Sequence, residues 1–430
     1  MDGLLLPAML SAGTVALWAT ARLPEYLVAL LFFAVAMVLH VAPAELVFSG
    51  FLSSAFWLVL SGFVLGVAIR KVGLADRAAR LLASHLSGSW PRLVGGVVLL
   101  TYALAFVMPS NMGRIALLMP VVMALADQAG LVEGSRGRIG LALAVGFGTF
   151  QLSTSILPAN VPNLVMAGAA ETAYGVHFAY LPYLLLHAPV GGVLKGIVLA
   201  ACICLLFPAQ PQQVGAASQA GPLTAAERRL GLLLLATLLL WMTDTLHGVQ
   251  PAWVGLAAAC ICLLPRVGFI TGDEFATGVN FRTCIYIAGI LGLAALVARS
   301  GLGDRIGQAL LAVAPLDPGA PFRSFASLVG ITALLNFDVT ANGVPALFTP
   351  LARTLADASG LPLLTVLMVQ VIGYATPVLP YQASPIVVAM GMGQVPARDG
   401  LRLCLALAAI TFGLLVSLQY AWFALLGQLG

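Results

Sequence analysis

Gly73-Leu74-Ala75-Asp76-Arg77 recurs with one residue changed as Gly301-Leu302-Gly303-Asp304-Arg305. The copies lie 228 residues apart, and each follows an apolar stretch with two glycines, Gly62 and Gly66 or Gly289 and Gly292. The same register sets Pro109-Ser110-Asn111 opposite Asp338-Val339-Thr340-Ala341-Asn342-Gly343, with a three-residue slip. It also sets Ala159-Asn160-Val161-Pro162-Asn163 opposite Gln382-Ala383-Ser384-Pro385. The chain therefore reads as two related halves, 1–207 and 227–430. The Gln/Ala/Gly/Pro-rich segment 208–226 between them is expected to be a flexible cytoplasmic tether.

Composition assigns the class. Apolar residues make up 61% of the chain and charged ones 8%, with a mean hydropathy of +1.03. A soluble domain carries roughly 25% charged residues, so this one cannot clothe a water-facing surface. Membrane spans are expected near 4–20, 24–43, 53–70, 138–170 and 180–207. In the second half they fall near 227–246, 251–267, 282–300, 363–391 and 402–427. The spans 138–170 and 363–391 are interrupted by prolines and polar residues. Segments 91–129 and 322–357 are each split by one of the polar clusters and read as re-entrant helical hairpins. Irregular backbone at that depth is tolerated only inside protein or beside an aqueous cavity. The opening residues lack a basic stretch, so no cleavable leader is expected. The stretch 74–86 is amphipathic and suits an interfacial helix.

Five spans per half is an odd number, which inverts the second half. Charge agrees. With 70–92 in the cytoplasm, 14 of the 20 Lys and Arg fall inside. Four fall outside, at 299, 305, 323 and 353, and Arg114 and Lys195 lie within apolar segments. The fold expected is an all-α polytopic membrane protein of two inverted repeats. Broken helices offer free N–H and C=O groups near the midplane, which is the design of a transporter. The net charge of +4 is spread between spans and does not point to nucleic acid. Cysteines 202, 204, 260, 262, 284 and 404 and histidines 40, 85, 177, 187 and 247 show no metal-ligand spacing. No HExxH, P-loop or GxSxG motif stands in its required context, so neither an enzyme nor a cofactor is expected, a sodium ion excepted.

Phe56-Trp57-Leu58-Val59-Leu60-Ser61-Gly62-Phe63 through Arg77, Ser110-Asn111-Met112, Pro162-Asn163-Leu164 and Thr340-Ala341-Asn342-Gly343 resemble the divalent anion/sodium symporter family. The resemblance covers nearly the whole chain, less one N-terminal span of the family pattern. It implies secondary transport of a small organic anion, a di- or tricarboxylate, coupled to sodium or protons. It also implies an elevator motion against a dimeric scaffold, here mainly 4–50, 180–265 and 402–427, in a bacterial inner membrane. Asn111 and Asn342 would bridge substrate and sodium. Ser110 and Asn163 would add to the sodium sites, and Thr340 and Thr376 to substrate binding. The chain departs from the pattern at Met112 and Gly343, where the family has Thr, at Ala341, where it has Ser, and at Ser384-Pro385-Ile386.

Arg114 and Asp338 are unusual at membrane depth, where a charge costs at least about 2.5–3.5 kcal/mol. Arg114 is expected to clamp a substrate carboxylate, to replace a sodium ion with its own fixed charge, or to pair with Asp338. Asp338 could instead protonate during transport or hold a cation. The polar runs at Gln151, Ser153, Thr154, Ser155 and Asn160, and at Tyr381, Gln382 and Ser384, line the site or join helices. Rivals to the carboxylate reading are a carrier of another oxyanion, and a channel or non-transporting receptor on the same scaffold.

Overall fold

The structure, a computed structural model, describes residues 2–20, 22–74, 77, 89–211, 222–311 and 314–430. Among the described residues it is helical, without strands. The first half runs through Asp2–Thr20, Glu25–Val38, two single-turn helices over 44–52, and Ser54–Val72. Then come the hairpin Trp90–Ala105 and Asn111–Gln128, the broken pair Arg136–Gln151 and Val161–Tyr174, and Tyr180–Leu206. The second half repeats this order. Ala225–Met242, Pro251–Leu263, Gly272–Gly278 and Phe281–Arg299 lead to Leu302–Leu311 and the hairpin Pro321–Ser359. The broken pair Leu363–Tyr374 and Ser384–Met392 follows, then Ala397–Leu425. Five of these segments are long and apolar enough to cross a membrane by themselves: Ser54–Val72, Tyr180–Leu206, Phe281–Arg299, Pro321–Ser359 and Ala397–Leu425.

The repeated pentapeptide has a physical cause. Ser53 starts its helix by accepting a hydrogen bond from the Phe56 N–H at 3.3 Å. Gly73 ends that helix with φ at 81°, and Gly301 follows Phe281–Arg299 with φ at 76°. Only glycine takes this left-handed cap without strain. The interfacial stretch 74–86 lies outside the described residues except for Leu74 and Arg77, and the tether is described only at its two ends.

Each hairpin reverses differently. The first turns through 106–110. The second turns at one residue, Thr340, whose φ of 59° and ψ of 168° interrupt an otherwise helical run. Its two arms meet again at the base, where a Cβ on Gly360 would stand 2.9 Å from that of Pro318.

Two helices expected in the scaffold also pack on the broken helices, although Tyr180 keeps a hydrogen bond from its N–H to Asp244 at 2.6 Å. The Tyr183 hydroxyl donates to the Thr154 carbonyl at 2.8 Å, so Tyr180–Leu206 lies on the first broken helix. Gln419 and Trp422 donate to the Leu186 and Leu185 carbonyls, which joins Ala397–Leu425 to it. Both helices carry π-helical turns, 188–194 and 411–415, near these contacts. Their predominantly apolar sequence gave no sign of which neighbour they would choose. The remaining scaffold pairs Glu25–Val38 with Phe281–Arg299 so closely that a Cβ on Gly289 would strike Ala29. It meets the first hairpin tip at Gly62, where a Cβ would sit 2.9 Å from that of Pro109.

Candidate functional site

A chamber open to solvent lies between the two hairpin tips, the two helix breaks and the scaffold. Ser110, Asn111 and Met112 line it from the first tip, Asn342 from the second, Asn160 and Val161 from the first break, and Ser384 and Pro385 from the second. Glu25, Asn280, Thr283 and Tyr286 face it from the scaffold. Three helices begin here: Asn111–Gln128, Val161–Tyr174 and Ser384–Met392. A helix start carries about half a positive charge on its unpaired N–H groups. Among the described residues no Lys or Arg lines the chamber, so the attraction for an anion comes from these helix ends and from carboxamide donors. The reversal at Thr340 holds a β-branched residue at positive φ, a conformation costing on the order of 1–3 kcal/mol. It starts a new helical arm two residues before Asn342.

Arg114 lies behind this surface, fully buried. Its guanidinium donates to the carbonyls of Met108 at 2.7 Å and of Thr149 and Ala159 at 3.2 Å each, and to Asn111 Oδ1. Asn111 is thereby oriented. Its Oδ1 turns to Arg114 and Ser153, and its Nδ2 donates to Asn160 Oδ1 at 2.9 Å. Asn160 in turn donates to the Phe150 carbonyl at 3.0 Å. Arg114 is thus occupied with the first break and does not line the chamber beside Asn342. No ion pair with Asp338 forms, since Asp338 is exposed and Arg114 is sealed.

The other residues singled out from sequence divide. Ser110 lines the chamber and also caps its helix, accepting from the Gly113 N–H at 3.1 Å. Asn163 does not reach the chamber. Its Nδ2 donates to the Thr154 and Ile156 carbonyls and its Oδ1 accepts from the Tyr374 hydroxyl at 2.8 Å, so it ties the two breaks together. Thr376 is also buried away from the chamber, donating to the Ile372 carbonyl at 2.7 Å. Thr376 Oγ1 and the Ala375 carbonyl both accept from the buried Lys195 Nζ, at 3.1 and 2.8 Å. Gln382 holds the second break by accepting from the Val378 and Leu379 N–H groups. Glu25, Asn280, Thr283 and Tyr286 were missed. They sit at or near the starts of scaffold helices, and nothing in the spacing tied those ends to the tips.

The chain matches the family described as "Sodium:sulfate symporter transmembrane region" over residues 6–429. The L-tartrate/succinate antiporter of Escherichia coli strain K12 is 25% identical over 392 residues, which cover 87% of this chain and 79% of that protein. A membrane protein of Cupriavidus necator is 23% identical, covering 88% and 76%. Among solved structures, the YdaH transporter of Alcanivorax borkumensis aligns with a TM-score of 0.55 at 15% identity, covering 89% of this chain and 88% of that one. MtrF of Neisseria gonorrhoeae aligns at 0.51 and 14%, covering 85% and 80%. Similarity at this level speaks for the fold. Taken with the duplicated hairpins, the broken helices and the shared chamber, these matches make the chain a multi-pass membrane transporter, not an enzyme, belonging to the sodium:sulfate symporter family, the divalent anion/sodium symporters.

Proposed function

We propose that this protein is a secondary carrier of a small organic dianion of the dicarboxylate class. It works by alternating access in a bacterial inner membrane, as a homodimer. One observation carries the reading: three helix N-termini and the carboxamides of Asn111, Asn160 and Asn342 converge on a single chamber with no basic side chain among the described residues. Such a surface holds two carboxylates by hydrogen bonds and partial charges, and it releases them again because no full charge grips them. The relative named for tartrate and succinate points to four-carbon dicarboxylates. Substrate would bridge the tips, with Asn111 held in register by Arg114. The hairpins, broken helices and last helix of each half would move together past the scaffold along the close contact of Gly62 with Pro109.

The test is uptake of radiolabelled succinate, tartrate, citrate and sulfate into proteoliposomes. Saturable accumulation of a dicarboxylate is expected, weakened by Asn111→Ala and Asn342→Ala. Flux that never saturates would indicate a channel. No accumulation of any dianion above protein-free vesicles would end the reading.

A further inference from the structure

We infer that Glu25 selects the carried substrate, which is a dicarboxylate bearing a hydroxyl or ammonium donor between its two carboxylates. The inference rests on the dicarboxylate reading of the chamber and names the subclass.

The chamber wall divides by chemistry. The tips and breaks offer donors, from three helix starts and from the carboxamides of Asn111, Asn160 and Asn342. The scaffold side offers the opposite. Glu25 is exposed and faces the chamber, the one acid that lines it among the described residues. Asp338 lies near the second tip in sequence, yet it does not line the chamber. Glu25 is the first residue of Glu25–Val38, and the Trp18 indole N–H donates to its backbone carbonyl at 3.1 Å, which holds the helix start. Its carboxylate forms no ion pair or hydrogen bond among the described residues. The guanidinium of Arg282 lies over the neighbouring Tyr26 ring at 5.6 Å. Tyr286 joins the two walls, since its hydroxyl shares a hydrogen bond with Asn342 and lies within the field of Glu25. A substrate held at the second tip by Asn342 therefore meets the Glu25 carboxylate.

A carboxylate in an anion site weakens binding unless the ligand brings it a donor. Each helix start carries about half a positive charge, and three of them fall short of two substrate carboxylates and Glu25 together. Succinate presents acceptors alone, so it sets like charges against each other here. A hydroxyl on a central carbon donates to Glu25, and an ammonium in that place also neutralises it. The substrate carboxylates would then lie on the tips and breaks while the donor points to the scaffold. Asn280 lines the same wall, but its Oδ1 already accepts from the Thr283 N–H at 3.2 Å. Glu25 is the strongest acceptor left for that donor.

The experiment uses purified full-length protein in liposomes at neutral pH, with initial uptake of labelled succinate, L-malate and L-aspartate as the readout. Wild type is expected to carry malate and aspartate with kcat/KM roughly tenfold above succinate, the discrimination that one hydrogen bond to a charged group supplies. Glu25→Gln and Glu25→Ala should close that gap from both sides, raising succinate and lowering aspartate. The rise for succinate is a gain that misfolding does not produce. Glu25→Asp keeps the charge and should keep the wild-type order. Wild type that carries succinate as well as malate and aspartate overturns the inference whatever the variants do. So does an uncharged variant that keeps the wild-type ratio, and so does loss of all three activities in both uncharged variants, which would give Glu25 a role in folding or turnover instead of selection. Absence of uptake of these three and of tartrate by wild type under every gradient would instead overturn the dicarboxylate reading.

Discussion

The two helix breaks are built on one plan and closed in different ways. The first is sealed from its own half. Arg114, Asn160 and Asn163 come from the adjacent tip and from the break itself, and Tyr183 from the following helix, and between them they satisfy the carbonyls of Thr149, Phe150, Thr154, Ile156 and Ala159. The second borrows its cation from the opposite half, through Lys195, and Asn336 reaches the Tyr374 carbonyl only at 3.5 Å. Each break also keeps buried polar atoms without a partner among the described residues: Arg114 Nε, Thr149 Oγ1 and both amide atoms of Gln151 at the first, Asn336 Oδ1 and Gln382 Nε2 at the second. The two differ in where their cation comes from: a local arginine closes the first, and a lysine from the other half pins the second.

That contrast can be broken at several points. Arg114→Met strips three backbone carbonyls of the guanidinium and leaves Asn111 Oδ1 with Ser153 alone. Each uncompensated buried acceptor costs about 1–3 kcal/mol, so the loss should exceed about 3 kcal/mol. Thermal unfolding in detergent should fall far more than for Asn336→Ala at the second break. Equal shifts for the two would erase the distinction. Asn342→Ala comes next. It removes a chamber-lining carboxamide that also hydrogen-bonds Tyr286 of the facing helix, so substrate affinity should drop by roughly tenfold with a smaller loss of stability than Arg114→Met. Asn111→Ala should lower both, because Asn111 also holds Arg114 and Asn160.

Gly62→Val addresses motion. Its Cβ would press on Pro109 at 2.9 Å. Overpacking of 1–3 kcal/mol slows turnover by about tenfold, and binding should be spared. Unaltered turnover would mean that this contact does not slide.

The smallest effect concerns the repeated pentapeptides, whose arginines also diverge. Arg77 pairs with Glu227 at 2.7 Å and donates to the Pro222 carbonyl, which ties the first half to the start of the second, whereas Arg305 is exposed. Glu227→Gln should therefore lower thermal stability in detergent by a small amount, and raising the salt concentration should shrink the gap to wild type. A gap that salt leaves unchanged would remove the pair as its cause.

Much of this was legible in the sequence because the bilayer imposes strong rules. Apolar runs must be helices, prolines and polar residues inside them must mark breaks, and a conserved register between halves of one chain needs no structure to be seen. Asn111, Asn342 and Ser110 were found this way, since a polar tip in hydrocarbon has few other reasons to exist. The roles of Arg114, Asn163 and Thr376 were not. Each is a polar residue of the expected kind, yet the direction of its side chain depends on a helix far away in sequence. Arg114 faces inward because Thr149 and Ala159 present carbonyls behind it.

The sequence by itself determined that this protein is a multi-pass membrane transporter whose apolar runs are broken by polar clusters, because hydropathy is a local property. Only the tertiary structure decided which helices pack on the breaks and where the cations sit. A lysine 180 residues from the Ala375 carbonyl it binds leaves no pattern in the chain. It becomes readable when packing brings the two halves together and the low dielectric makes an unpaired helix end and an unpaired ammonium each other's best partner.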